Sequence, residues 1–294
     1  MNVTTQIQGG LGNQLFQYAT GKALSSRLQG PLLLDIDWFN HHQEDVTPRR
    51  FLLPELKLAY QLTFSVTDRK PPKRWRRIAQ MLLPITPYIL QDRPFRFNQN
   101  LNTFTPSYAS QYVYLMGYWQ SFRYFDSIRD ELITEIQPIA GISLHYQAYL
   151  EKIRSSSSAM VHIRRGDYVH LPAAAKVHGF LGLDYYQMGM DILMASDPAT
   201  QFFVFSDDLA WVKANLPYQD KITFIQSANS ATDPVQELFL MTQCHKHLIA
   251  NSSLSWWGAW LSNHSNSQVI APLQWTNDLN KNWNDLLPDQ WQRI

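Results

Sequence analysis

The stretch Val3–Asp37, VTTQIQGGLGNQLFQYATGKALSSRLQGPLLLDID, decides the fold. Val3–Gln8 reads as a strand, and Gly9-Gly10-Leu11-Gly12 as a tight turn. From Asn13 to about Gln29 the residues Leu15, Phe16, Ala19, Ala23, Leu24 and Leu28 recur at helical spacing. Pro31–Asp37 reads as a second strand. Strand, helix and strand in this order make a βαβ unit, whose crossover leaves the two strands parallel.

Outward from this unit the pattern first fades and then sharpens. The middle, about Thr47–Ser110, is rich in proline and arginine and yields no regular assignment. Tyr112–Gln120 predicts a strand, and helices are expected at about 126–136 and 144–154. Four serines, Ser155–Ser158, mark a hinge. Beyond them strands are predicted at Met160–Arg164, Gln201–Ser206, Ile222–Gln226, His247–Ala250 and Gln268–Ala271. Helices are expected between them at about Asp184–Ala195, Asp208–Asn215, Pro234–Gln243 and Ser255–Ser262. Asp233 before Pro234 has the pattern of an N-cap followed by proline at the first helical position. Such alternation implies a second parallel sheet of Rossmann-like topology. The expectation is an α/β protein of two Rossmann-like domains, residues 1–154 and 155–294, with their parallel sheets facing across a cleft.

The composition narrows the function classes. The 294 residues are 45% hydrophobic and 17% charged, which suits a packed core rather than a disordered chain. A net charge of +1 argues against a nucleic-acid binder that relies on phosphate-backbone contacts. The single cysteine, Cys244, leaves no intrachain disulfide and fits a reducing compartment. Met1–Gly10 lacks a charged region followed by an apolar run, so no signal peptide is expected. No stretch approaches the ~18 apolar residues of a membrane span. Ten Trp and fourteen Tyr tilt the reading toward a carbohydrate ligand, since sugars pack on aromatic faces.

Four segments carry candidate chemistry. Gly9–Gln14 places glycines between strand and helix, where a ligand can approach the backbone and the helix start offers N–H groups. The final glycine of the dinucleotide fingerprint is missing, and a purely structural turn fits the same residues. His162–Tyr168, HIRRGDY, puts Arg164, Arg165 and Asp167 where a strand ends. Adjacent guanidiniums suit a diphosphate, because each planar fork donates two parallel hydrogen bonds. Asp167 serves either as a general base or as an orienting group; two neighbouring arginines should depress its pKa and favour orientation. Phe205–Asp208, FSDD, offers a carboxylate to the N1–H and N2–H₂ edge of guanine, or an N-cap to the next helix. Asn251–Gly258, NSSLSWWG, offers hydroxyls and helix-start N–H groups to phosphate, or a cap with tryptophans in the core.

Other features are read structurally. Asp35 and Asp37 have the D-x-D spacing of metal-dependent glycosyltransferases, but a strand end explains them. His245 and His247 lack an acidic partner at metal spacing. Arg69–Arg77 holds six basic residues ahead of a largely apolar run to Leu90. Arg69–Leu90 is therefore the segment that offers a peripheral membrane contact.

Taken together, GGLGNQLFQYA (Gly9–Ala19), GYWQS (Gly117–Ser121), HIRRGDY, FSDD and IANSSLSWWGAWL (Ile249–Leu261) resemble the bacterial alpha-1,2-fucosyltransferases of glycosyltransferase family 11. The resemblance implies a GT-B fold and GDP-L-fucose as donor, with neither cofactor nor metal. The acceptor would be the 2-hydroxyl of a terminal galactose on an oligosaccharide or lipid-linked glycan, and the linkage would invert. It implies Arg164 as the essential phosphate-binding arginine, with Arg165 in support and Asp167 as the matched base. His162, Asp207 and Asp208 would meet guanine, and Asn251, Ser252 and Ser253 the diphosphate. Gly10, Gly12, Asn13, Gln14 and Trp119 would lie near fucose or acceptor. The last helix would pack back on the N-terminal domain. The setting would be O-antigen synthesis in a bacterial cytoplasm or at its inner membrane. Two other readings compete: a GDP-fucose transferase with another acceptor position, and a non-catalytic carbohydrate-binding protein.

Overall fold

A computed structural model describes residues 1–41, 48–63, 88–104, 112–166, 179–265, 267–278 and 281–294. These divide into two compact units, Met1–Pro54 with Leu58–Glu135, and Glu55–Lys57 with Ile136–Ile294. Asp167 and most of Arg69–Leu90 lie outside the described residues.

In the first unit β1 (Asn2–Gln6) leads into α1 (Leu11–Arg27) and returns as β2 (Leu32–Asp35), the predicted βαβ unit. Three strands follow, β3 (Gln61–Thr63), β4 (Tyr88–Gln91) and β5 (Tyr112–Met116). Among the described residues they form one parallel sheet in the order β3-β2-β1-β5-β4. The middle segment thus holds two edge strands that gave no pattern. Their side chains are exposed or half-buried, so no apolar alternation marks them. A short α2 (Gln99–Asn102) precedes β5, and α3 (Arg129–Glu135) closes the unit. α1 is pinned to α3 where Lys22 Nζ meets Glu131 and Glu135 at 2.8 and 2.7 Å and the Tyr18 hydroxyl donates to Glu135 at 2.7 Å. Burial and the adjacent carboxylate push the Tyr18 pKa far up, so it stays a donor.

The second unit opens with α4 (Leu144–Arg154), which bonds to later parts of the same unit. Ser143 N donates to Gln236 Oε1 and Arg154 Nη2 to Gln243 Oε1. The four serines expected as a hinge therefore lie inside this unit, and Ser158 already begins β6 (Ser158–Ile163). There follow α5 (Leu183–Ser196), β7 (Gln201–Ser206), α6 (Leu209–Asn215), β8 (Ile222–Phe224), α7 (Asp233–Thr242), β9 (Lys246–Leu248), α8 (Ser253–Trp260) and β10 (Gln268–Ala271). The last strand is β11 (Gln292–Arg293), which pairs with β10 and was not anticipated from the sequence. Thr232, not Asp233, occupies the N-cap of α7; Asp233 is the first helical residue and its carboxylate accepts from Ser230 N at 2.9 Å.

The strand order is β11-β10-β9-β6-β7-β8, again parallel throughout. Counted along the unit, this is the doubly wound 3-2-1-4-5-6 arrangement. Every residue of β6 is buried, as a central parallel strand with both faces covered requires. Ala159, Val161 and Ile163 pack with Tyr186, Met190 and Leu193 of α5 and with Val212 of α6. The alternate residues, His162 among them, face the other way. On that side His247 meets the Met241 carbonyl of α7 at 2.9 Å, and a Cβ at Gly258 of α8 would come within 2.7 Å of Met241. The winding reverses between β6 and β9, and ligands of such sheets settle beyond the carboxyl ends of the strands at that reversal.

Candidate donor site and family membership

The carboxyl ends of β6, β7 and β9 bring three of the four sequence segments together. Beyond β6, Arg164 Nη1 pairs with Asp207 Oδ2 at 2.8 Å, and the backbone N of Arg165 donates to Asp207 Oδ1 at 2.9 Å. One carboxylate thus grips two successive residues. Arg165 Nη1 pairs with Asp208 Oδ2, and its guanidinium carbon sits 4.5 Å from the centroid of the Trp211 ring. Asp208 also caps α6, accepting from Trp211 N at 3.2 Å. Both carboxylates are therefore bound to arginines, and Asp208 fills the capping role that the sequence left open. A Cβ at Gly166 would meet Asp207 Oδ2 at 2.8 Å, so the missing side chain is what lets this carboxylate lie against the backbone.

His162 is 6% exposed, and its Nδ1 has no partner among the described residues. Burial first, and the Arg164 charge second, lower its pKa to about 4. At neutral pH it is an uncharged imidazole beside the arginine cluster.

Beyond β9, Ser252 occupies the N-cap of α8 without a hydroxyl bond to the first turn, and Ser252 and Ser253 are half-buried. The first-turn amides of α8 thus remain available to an anion at the sheet reversal. Asn251 has another task. Its Nδ2 donates to the carbonyls of Gly179 and Trp275, both at 3.3 Å, so it ties the loops around α8 rather than offering its amide hydrogens to a diphosphate. Trp256 and Trp257 are core, as the second reading of that segment has it.

A second constellation sits at the reversal of the first sheet, between β1 and β5. Gly9 takes φ +79°, a left-handed conformation that glycine adopts without cost, and Gly10 is the N-cap of α1. Gly12 is buried in the first turn. Asn13 is half-buried, and its Oδ1 accepts from Gln120 Nε2 at 2.9 Å. Gln14 does not fit the expected ligand role. It is fully buried; Nε2 donates to the carbonyls of Gly9 and Arg50, and Oε1 accepts from Leu52 N. Both amide hydrogens are spent fastening the turn to the 50–52 segment. Trp119 is corrected as well. It is 0% exposed, packs on Tyr124 at 5.5 Å, and cannot offer a face to a sugar. Its φ of +55° is held by the bond from its N to Asp92 Oδ2. The aromatic that reaches solvent here is Tyr118, 37% exposed, 3.6 Å from where a Gly9 Cβ would stand. Tyr118 and Gln120 were missed, although GYWQS contained both.

Asp35 and Asp37 are engaged elsewhere. Asp35 Oδ2 accepts from the Tyr114 hydroxyl at 2.8 Å and Oδ1 from Asp37 N at 3.0 Å. Among the described residues no three His, Cys, Asp or Glu side chains converge on a point. Nor is any described helix long and apolar enough to cross a membrane.

A family model described as glycosyl transferase family 11 matches residues 1–294. This chain belongs to glycosyltransferase family 11. The family 11 transferase is 33% identical to an alpha-1,2-colitosyltransferase of Escherichia coli, over 99% of this chain and 98% of that one. It is 23% identical to galactoside 2-alpha-L-fucosyltransferase SEC1 of Bos taurus, over 89% of this chain and 65% of that one. Its fold matches the crystal structure of fucosyltransferase NodZ from Bradyrhizobium with a TM-score of 0.51, at 16% identity, over 87% of this chain and 92% of that one. The transferase thus has the expected GT-B-like α/β fold, two units each built on a parallel sheet.

Proposed function

We propose that this transferase moves L-fucose from GDP-L-fucose to the 2-hydroxyl of a galactose that ends an oligosaccharide or lipid-linked glycan. The observation that carries the reading is Arg164, aimed by Asp207, at the sheet reversal beside the N-terminus of α8. A guanidinium and a helix start suit one diphosphate. His162, buried beside the arginine cluster with its Nδ1 unpartnered among the described residues, is the candidate for guanine in this reading.

In this reading the acceptor oxygen attacks C1 of β-linked fucose as the C1–O bond to the β-phosphate breaks. The bonding pair leaves with the phosphate oxygen, and the acceptor proton passes to a base or to water, with Asp167 the matched candidate. Arg164 stabilises the charge that grows on the departing GDP, and no metal takes part. Losing one preorganised charge of this kind costs on the order of 10²–10³ in rate. Asn13, oriented by Gln120, would act on the sugar side.

Thermal shift tests the donor assignment: GDP should raise the melting temperature while UDP and ADP do not. Equal shifts from all three would remove the guanine assignment. A fully active Arg164→Ala would remove the phosphate role. Product analysis by NMR on lactose distinguishes the 2-hydroxyl from other positions. The relative that transfers colitose supports a second reading, in which the donor sugar is colitose, the 3-deoxy analogue of fucose. Competition between the two GDP sugars decides between them.

A further inference from the structure

We infer that Arg165 is a positioning residue whose stack on Trp211 aims Arg164, not a second ligand of the diphosphate. The inference rests on the donor reading given above and assigns a task inside that site.

Three contacts close on one another around this side chain. The Arg165 guanidinium carbon lies over the Trp211 ring, 4.5 Å from its centroid, and 6.0 Å from that of Phe180. Its Nη1 pairs with Asp208, and Asp208 accepts from Trp211 N. The cation is thus neutralised by a carboxylate and covered by a ring, an arrangement that fixes it rather than presents it. The backbone N of Arg165 meanwhile donates to Asp207 Oδ1, and the other oxygen of that carboxylate holds Arg164 Nη1. A shift of Arg165 moves this N–H, turns the Asp207 carboxylate and changes the direction of Arg164. The stack therefore sets the end of β6 against the β7–α6 turn, and Asp207 transmits the setting. Lysine cannot substitute, because an ammonium has neither the plane nor the fork.

The experiment compares Arg165→Lys, Trp211→Leu and the double variant in the full chain. It reads kcat and KM for GDP-fucose, and GDP affinity at two salt concentrations. Misaiming a catalytic group by ~1 Å can cost up to about 10² in rate, so each single change should lower kcat by about tenfold or more. KM and GDP affinity should stay within about twofold, the pattern of an interaction realised in the transition state. The salt dependence of GDP binding should not change, because no phosphate contact is lost. The double variant should be no worse than either single, since both break one unit. Trp211→Phe keeps a ring and should restore activity. If Trp211→Leu does not fold, Asp208→Asn serves in its place, because it removes the ion pair and keeps an acceptor for the cap.

A harmless Trp211→Leu, or additive losses, would overturn the inference. So would an Arg165→Gln variant, which removes the charge, if it bound GDP weakly with a flattened salt dependence, the signature of a phosphate ligand. A wild-type chain that bound no GDP would overturn the donor reading itself, and this assignment with it.

Discussion

Asp207 holds two successive residues of the chain at once: Oδ2 takes the Arg164 side chain at 2.8 Å and Oδ1 takes the Arg165 backbone at 2.9 Å. Such a clamp fixes a direction more than it adds stability, because the pair is partly exposed and such pairs contribute little. Asp207→Asn tests this. Removing the negative charge should leave GDP binding equal or tighter, since Arg164 loses a competitor for the phosphate. Without the clamp kcat should fall by about tenfold or more. Isothermal titration and initial rates measure the two effects separately, and an unchanged kcat would refute the clamp.

Gly166→Ala should reproduce that phenotype from the other side. The new Cβ would stand 2.8 Å from Asp207 Oδ2, so the carboxylate has to swing away from both arginines. The backbone there needs no left-handed conformation, so melting should stay near wild type while turnover drops. A variant with normal turnover would show that the carboxylate can move without consequence.

On the first unit, Gln120→Ala should leave the Asn13 amide free to rotate. The expected result is lower kcat with an unchanged GDP-induced thermal shift, because the nucleotide groups lie in the second unit. Trp119→Ala should differ in kind. Emptying a fully buried tryptophan site costs about 3–5 kcal/mol of stability, with no specific effect on acceptor choice. Urea denaturation and acceptor KM values separate the two.

Acid stability follows from three buried groups. His162 and His247 are both lowered to about 4, chiefly by burial. Below the ordinary histidine range the unfolded chain binds these protons and the folded chain does not. Each histidine therefore removes up to ~1.4 kcal/mol of stability per pH unit as pH falls from about 6.5 toward 4. Glu237, raised to about 6 by burial, works the other way. The folded chain takes up its proton first, so between about 6 and 4.5 it offsets one histidine. Urea midpoints should thus fall with decreasing pH, more steeply from about 6.5 to 6 and from about 4.5 to 4 than in between. His247→Gln should flatten the profile, and an unaltered slope would contradict the assignment.

EDTA should leave transfer intact. Both oxygens of Asp35 already accept protein hydrogen bonds, from Tyr114 and from Asp37 N, so the D-x-D spacing is consumed by the fold. Activity lost to chelation and restored by Mn²⁺ would reverse this reading.

Strands β6 to β10 of the second unit were legible, helped by apolar runs such as FFVF in β7 and VIA in β10, whereas the two-residue β11 was not. β3 and β4 were not legible, since an edge strand with exposed or half-buried side chains has no period to read. Within the site, Arg164 and the cap at Asp208 follow from residue type and place. Gln14 and Trp119 do not. Their neighbours in sequence point at the sheet reversal, but their own side chains turn inward to partners at Arg50, Leu52 and Tyr124 that no local pattern reveals. Gln120 was hidden for the same reason, because its meaning lies in Asn13, far away along the chain.

β6 pairs with β9, so the crevice at the sheet reversal has walls drawn from opposite ends of the second unit. On a ribosome, Arg164 and Asp207 emerge well before the serines at 252 and 253. A nascent chain halted between them would own its cations but no pocket. GDP recognition should accordingly appear only in nascent chains that extend past these serines, and the nucleotide would serve as a probe of when the crevice is complete.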